Sequence, residues 1–298
     1  MAGGRARRGV FDVLFAATLT GTAGTAGSFA PDLASAPAVG ATRLFFGGIG
    51  LLLALPLAGG DRTRAIRLLR TSGGVTAALM AALYQLTFFA GVDRAGVAVG
   101  TLVAIGSSPI FVGLVAWAMF GERPTTGWWF STAICIAGIT LLSGDGALRA
   151  DGDVAGVVLA VTAGGASAGL TVAAKRLIVA GAAPSEALGA GVGGGAVLVA
   201  PVLLATGAGW IASMRGIEVA MWLGLVSTAS AYVLFGRGLR ALPAGPVATL
   251  LLAESLVAAA LGVIVLGETV HAVSVVGATL LLTGLVVQAR SSSSTPIV

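Results

Sequence analysis

The stretch LLLAESLVAAALGVIVLGE, residues 250–268, carries a glutamate, Glu254, inside a run long and apolar enough to cross a bilayer. An ionisable group at that depth costs roughly 2.5 to 3.5 kcal/mol on insertion scales, so it marks either function or a specific pairing. An earlier stretch, AIGSSPIFVGLVAWAMFGE at 104–122, has the same shape, and its closing Gly-Glu lies 146 residues before the other. Each Gly-Glu is followed by a further apolar run, WWFSTAICIAGITLL after the first and VSVVGATLLLTGLVV after the second. Upstream, Arg94 aligns with Arg240, and at a slightly different offset DVLFAATLTGTAGTAGS (12–28) is similar to DVAGVVLAVTAGGASAG (153–169). The chain repeats itself, and a repeat constrains a fold more than any single motif does.

Composition sets the medium in which this repeat folds. The chain has 298 residues, 57% hydrophobic and only 10% charged, with a mean hydropathy of +1.01; soluble domains carry about 25% charged residues. There are 46 glycines, but no Gly-X-Y period and no low-complexity tract. Collagen and disorder are therefore excluded. The net charge of +5 is spread along the chain instead of forming one basic block, which argues against a nucleic-acid partner. Cys135 is the only cysteine and lies in an apolar run, so neither a disulfide framework nor a thiol metal site is expected.

Breaks at Gly, Pro and charge clusters divide the chain into spans near 10–29, 37–58, 72–92, 95–119, 126–144, 154–177, 185–206, 217–236, 243–266 and 270–289. The RARR start and the later Ala34-Ser35-Ala36-Pro37 imitate a signal peptide with its cleavage site. The first span is kept because it has a partner in the second half. With the amino terminus in the cytoplasm, the inner side receives Arg5, Arg7, Arg8, Arg62, Arg64, Arg67, Arg70, Arg123, Lys175, Arg176, Arg237, Arg240 and Arg290. The outer side receives Arg94, Arg149 and Arg215, and Arg43 falls within a span. Thirteen against three is a strong positive-inside bias, and adding or dropping one middle span destroys it. The expectation is an all-α integral membrane protein of ten helices with both termini cytoplasmic. It divides into repeats at 1–146 and 147–298, and an odd number of spans per repeat inverts the second copy. Inverted repeats of this kind hold substrate near the midplane in secondary transporters.

Several segments in this order and spacing carry a resemblance. They are ATRLFFGGIG with Arg43, FFAGVDRAGVAVGTLVAIGSSPIFVGLVAWAMFGERP, and LLLAESLVAAALGVIVLGETV. Together they resemble the EamA-type members of the drug/metabolite transporter superfamily over nearly the whole chain. The resemblance implies a bacterial inner-membrane exporter of amino acids, related metabolites or organic cations, with a cavity lined mainly by spans 1, 3, 4, 6, 8 and 9. Two positions depart from the family pattern. Glu254-Ser255 stands where Glu-Pro is frequent, which predicts a straighter ninth helix, and no tryptophan lies near Gly164 in span 6.

Glu254 is the first candidate for substrate binding. It can hold a substrate ammonium, exchange protons, or simply join neighbouring helices. Its repeat counterpart is Ser108, beside Pro109, whose missing N–H frees a carbonyl at mid-membrane depth. Tyr84 and Gln85 in span 3 offer an aromatic hydroxyl and an amide donor–acceptor, and Tyr232 and Ser230 are their span 8 analogues. Thr101 and Ser107 complete the substrate-binding set. The Ser and Thr residues of spans 1 and 6 (Thr20, Thr22, Thr25, Thr162, Ser167) read as interhelical contacts among small residues. Arg43 reads as a partner of Asp32 or a gate residue, too far in depth from Glu254 for a salt bridge.

No cofactor is implied. His271 is the only histidine, and Asp145, Asp151 and Asp153 fit no calcium-loop spacing, so no metal site is expected. No G-x-x-x-x-G-K-[ST] run is present, so the chain carries no phosphate-binding loop of an ATPase. The competing class is a polytopic membrane enzyme acting on lipid-linked substrates, which requires clustered acids or histidines at the membrane surface. The inner loops offer only Asp61, Glu122 and Glu186, singly. The expected partners are a small-molecule substrate (amino acid, metabolite or organic cation) and the lipid bilayer, with the chain a monomer or homodimer.

Overall fold

The computed structural model describes residues 2–32, 34–143 and 153–294. Among these the chain is helical, and eight helices are long and apolar enough to cross a membrane. They are α2 (Ala36–Ala54), α3 (Ser72–Ala95), α4 (Val97–Phe120), α6 (Val154–Val179), α7 (Pro184–Thr206), α8 (Met214–Ala241), α9 (Ala244–Leu266) and α10, apolar over Ala272–Ser292. With them pack α1 (Ala2–Ser28), which carries more charge, and α5 (Thr126–Leu142), which is shorter. These two and the eight make ten long helical segments. Most ends fall within about three residues of the expected spans. The exceptions are α1, which begins at residue 2 instead of 10, α2, which ends at 54 instead of 58, and α8 and α10, which run on to 241 and 294 instead of 236 and 289.

Local signals account for the ends. Ser35 caps α2, its hydroxyl accepting from the Ala38 N–H with proline in the first turn, so the Ala34–Pro37 run is a helix start. The repeated Gly-Glu has a backbone cause: Gly121 and Gly267 end α4 and α9 with φ of +69° and +71°. That left-handed conformation strains any residue with a Cβ, and it turns the chain sharply out of the helix. The acids after them, Glu122 and Glu268, are therefore set at opposite ends of the bundle.

The helices pair in a symmetric pattern. α3 packs on α6 as α1 packs on α8, α4 on α6 as α1 on α9, and α3 on α7 as α2 on α8. The pairs α2–α7, α4–α9 and α5–α10 complete the set. Exchanging each of the first five helices with the one five further along leaves this set unchanged. The core is built mainly of alanine, valine and leucine and draws on all ten long segments, with many small alanines among them. Such small residues let helices approach closely where lipid supplies no hydrophobic drive.

The ninth helix departs from the expectation of a straighter rod. It is interrupted at Leu252, between Ala244–Leu251 and Ala253–Leu266, and the Ser255 N–H bonds back to the Leu252 carbonyl three residues earlier. The tightening needs no proline. It sets Glu254 in the first turn of the second segment, where a carboxylate suits the helix dipole.

Candidate functional site

Gly21 brings α1 and α9 together. A Cβ there would lie 2.7 Å from the Glu254 backbone oxygen and from the Val257 side chain, so only glycine allows this approach. The preceding residue, Thr20, lies beside the Glu254 carboxyl, while its hydroxyl donates to the Ala16 and Ala17 carbonyls. The other half repeats this at helix level, where the Ser108 hydroxyl of α4 donates to Ser167 of α6 at 3.2 Å. Thus α1–α9 and α4–α6, equivalent pairs in the packing pattern, are each joined by a polar contact. One is an acid with a hydroxyl and the other is neutral.

Arg43 enters from α2. Its Nε donates to the Thr228 hydroxyl at 3.2 Å. Thr228 belongs to a π-helical stretch of α8, Trp222–Ser230, where the Thr228 and Ser230 hydroxyls donate to carbonyls five residues back, at 2.8 and 2.9 Å. The Ser227-Thr228-Ala229-Ser230 run thus gives the wider turn its own hydrogen bonds, a feature common at functional sites. The charges of Arg43 and Glu254 both act on Tyr84 and on Tyr232. Each tyrosine leans on a phenylalanine of its own helix, Tyr84 on Phe88 with ring centroids 5.7 Å apart and Tyr232 on Phe235 at 5.9 Å. Arg43, Tyr84, Tyr232 and Glu254 therefore lie within electrostatic range of one another with Thr20 beside the carboxyl, a polar cluster defined by range instead of direct contact and drawn from α1, α2, α3, α8 and α9. No ion pair joins Arg43 to Glu254 among the described residues.

The other candidates lie elsewhere. Gln85 is 5% exposed, packs against Gly40 of α2, and its Nε2 has no hydrogen-bond partner. Ser107 donates to the Ala104 carbonyl and meets α6 at Gly164. Thr101 is half-buried on α4, and Ser230 is exposed. Asp153 caps α6 and pairs with Arg94 at 3.8 Å, whereas Asp145 and Asp151 lie outside the described residues. Thr20 and Arg43 are the residues that sequence reasoning left out of the cluster. The in-span charge of Arg43 was the available signal.

Two cavities flank this cluster along α1 and α8. One, of about 770 Å³, lies between α1, α8 and α9 and is lined by Thr22, Thr25, Phe29, Glu218, Trp222 and Leu261 among others. The Trp222 indole N–H donates to Thr22 across it at 3.0 Å. The other, of about 480 Å³, opens at the end holding both termini and reaches Asp12 and Val233. Between them Val13, Ala16 and Ala17 are fully buried. None of the eight residues expected to bind substrate lines either cavity.

The two ends of the bundle are closed to different degrees. At the termini end, Lys175 of α6 is 8% exposed and donates to the Leu239 and Leu242 carbonyls at 2.6 and 2.7 Å. It also pairs with Glu122 at 3.7 Å, and Glu122 accepts the Ala244 N–H that begins α9 at 2.8 Å. Nearby, Glu186 accepts N–H groups from Asp61 and Ala183 and pairs with Arg64 at 3.4 Å. At the opposite end Glu268 is exposed, and the Arg94–Asp153 pair has both side chains about half exposed, 56% and 49%. Breaking a buried pair costs about 3–5 kcal/mol, whereas an exposed one is worth about 0–1. The termini end is the tighter.

The profile of the "EamA-like transporter family" matches residues 7–144 and again 154–289. The "Uncharacterized transporter YwfM" of Bacillus subtilis (strain 168) is 39% identical over 276 residues, covering 92% of this chain and 91% of that protein. A solved crystal structure shares the fold with a TM-score of 0.78 at 19% identity, over 95% of this chain and 98% of that one.

Proposed function

The chain belongs to the EamA-like transporter family, and from that premise we propose a secondary transporter that exports amino acids, related small metabolites or organic cations by alternating access. In this reading all ten long helices span the bacterial inner membrane. Residues 1–146 and 147–298 form inverted five-helix repeats, and the termini end faces the cytoplasm. The observation that carries the proposal is the polar cluster around Glu254, lying between two cavities that approach it from opposite ends along α1 and α8. Inverted halves meeting at such a midplane site are the arrangement alternating access requires.

The unequal ends supply the gate. With Lys175, Glu122 and Glu186 engaged, the route from the inner cavity to the cluster is closed and the larger outer cavity is open. The repeat symmetry names the exchange: Glu122, which holds the start of α9, corresponds to Glu268, and the matching target is the start of α4, whose cap Gly96 offers no side-chain bond. In the inward-open state Glu268 closes on α4 near Ala98 while Glu122 releases Ala244.

Substrate chemistry follows from the cluster. Glu254 takes an amine, the tyrosines take its apolar or aromatic part, and Ser108, Thr101, Ser107, Ser230 and Gln85 belong to the walls that move around it. One carboxylate and two tyrosines suit amines better than polyanions. The test is uptake into proteoliposomes of a panel of amino acids and quaternary amines, with and without a pH gradient. Transport of one or more of them, absent from protein-free vesicles, is expected; a panel with no transported amine would refute the substrate class.

A further inference from the structure

The cavity at the termini end has a chemistry of its own. Arg5 and Arg8 of α1 and Arg237 and Arg240 of α8 line its roughly 480 Å³, and Asp12 is the one acid in the wall. Spacing three residues apart puts each arginine pair on one helix face, and the two faces meet across the cavity. None of the four guanidinium groups has a hydrogen bond or ion pair among the described residues. Three other cations at this end are committed, Arg62 to the Leu52 and Leu53 carbonyls, Arg64 to Glu186, and Lys175 to Glu122 and two carbonyls. A positive-inside bias alone scatters arginines around the rim, whereas here helices from both halves turn four of them into one hollow. The start of α7, at Pro184 and Ser185, forms part of the same wall, with its first turn already capped by Glu186.

All four arginines are solvent-exposed, so water screens part of their mutual repulsion, and an anion seated between them offsets the rest. Guanidinium forks match the oxygens of a phosphate, which accepts two parallel N–H bonds from each. The volume lies within the range of small-molecule sites. We propose that this arginine-lined cavity binds a phosphate group, carried by an anionic phospholipid headgroup or by a free phosphate ester. Basic pockets between membrane helices on the cytoplasmic side are where such headgroups dock. The site lies apart from the Glu254 cluster and does not depend on the identity of the transported substrate.

The test uses the full chain, purified lipid-free in a neutral detergent, with thermal unfolding as the readout. Phosphatidylglycerol, phosphatidylcholine, inorganic phosphate and chloride are titrated at equal ionic strength. A rise of several degrees with phosphatidylglycerol, but not with phosphatidylcholine or phosphate, assigns the site to a headgroup. A rise with phosphate that phosphatidylglycerol does not exceed assigns it to a free ester. In either case the half-saturating concentration should increase at least tenfold in the R8Q/R237Q variant. It should stay within twofold in R67Q/R70Q, which removes two exposed arginines of the same end outside the cavity. R240Q alone serves if the double variant does not fold, and at least a threefold weakening is expected. No phosphate-specific rise, or equal weakening in R67Q/R70Q, would overturn the proposal, since the effect would then be diffuse surface charge.

Discussion

The carboxyl of Glu254 has a hydroxyl from Thr20 beside it, and two tyrosines and Arg43 lie within reach of its charge. In the proposed reading that company marks it as more than a carboxyl that joins two helices, because helix glue needs no second charge and no aromatic rings. The same reasoning divides the neighbouring candidates Tyr84 and Gln85. Tyr84 shares the cluster, so Tyr84→Ala should change which amines are carried while expression stays normal. An unchanged substrate profile in the proteoliposome panel would return it to packing. Gln85 is buried with an unpartnered amide nitrogen, and such a group costs about 1–3 kcal/mol. Gln85→Leu should therefore leave the thermal midpoint unchanged or higher, with transport retained. Loss of transport in a stable Gln85→Leu protein would place that amide in the substrate path.

At the level of elements, the buried network of Lys175, Glu122 and the α8–α9 turn is the clearest mechanical feature. Lys175→Met leaves the partly buried Glu122 carboxylate and two carbonyls without their cation and should lower stability by about 1–3 kcal/mol. It should also raise labelling of a cysteine placed at the start of α9 from the cytoplasmic side. Adding Glu122→Gln should recover part of the stability without restoring closure. If labelling in Lys175→Met matched that of the parent, the network would be a structural tie and not a gate. The elements themselves were legible in the sequence: the Gly-Glu pair marked the ends of α4 and α9, and apolar length marked the spans. Their rotation was not. In a soluble helix the polar face reveals which side is buried, but here the lipid-facing and core-facing sides are both apolar. Nothing in the sequence therefore turned Arg43 toward Thr228 or Thr20 toward Glu254, contacts that cross 185 and more than 200 residues. The π-helical stretch was hidden for a related reason, since a Ser-Thr-Ala-Ser run bonds its own carbonyls as readily in an α-helix.

For the whole molecule the proposed function makes two statements, that its halves are inverted and that they exchange access. The first predicts opposite sidedness for equivalent helix ends. Cys135 is fully buried, so the native background should stay silent to polar maleimides. Leu57→Cys, just after α2, should label only from the cytoplasm, and Thr206→Cys, at the end of α7, only from outside. Labelling of both from one side would contradict the inversion. The second statement, that access alternates around a midplane carboxyl, is the centre of the account and is tested most directly by Glu254→Gln in proteoliposomes. Glutamine keeps the shape and hydrogen-bonding capacity but carries no charge and cannot titrate. The account predicts that for an amine carried by the parent protein, the variant loses either pH-driven accumulation with exchange retained, or affinity at every pH. Accumulation, exchange and affinity equal to the parent across the whole pH range would contradict it.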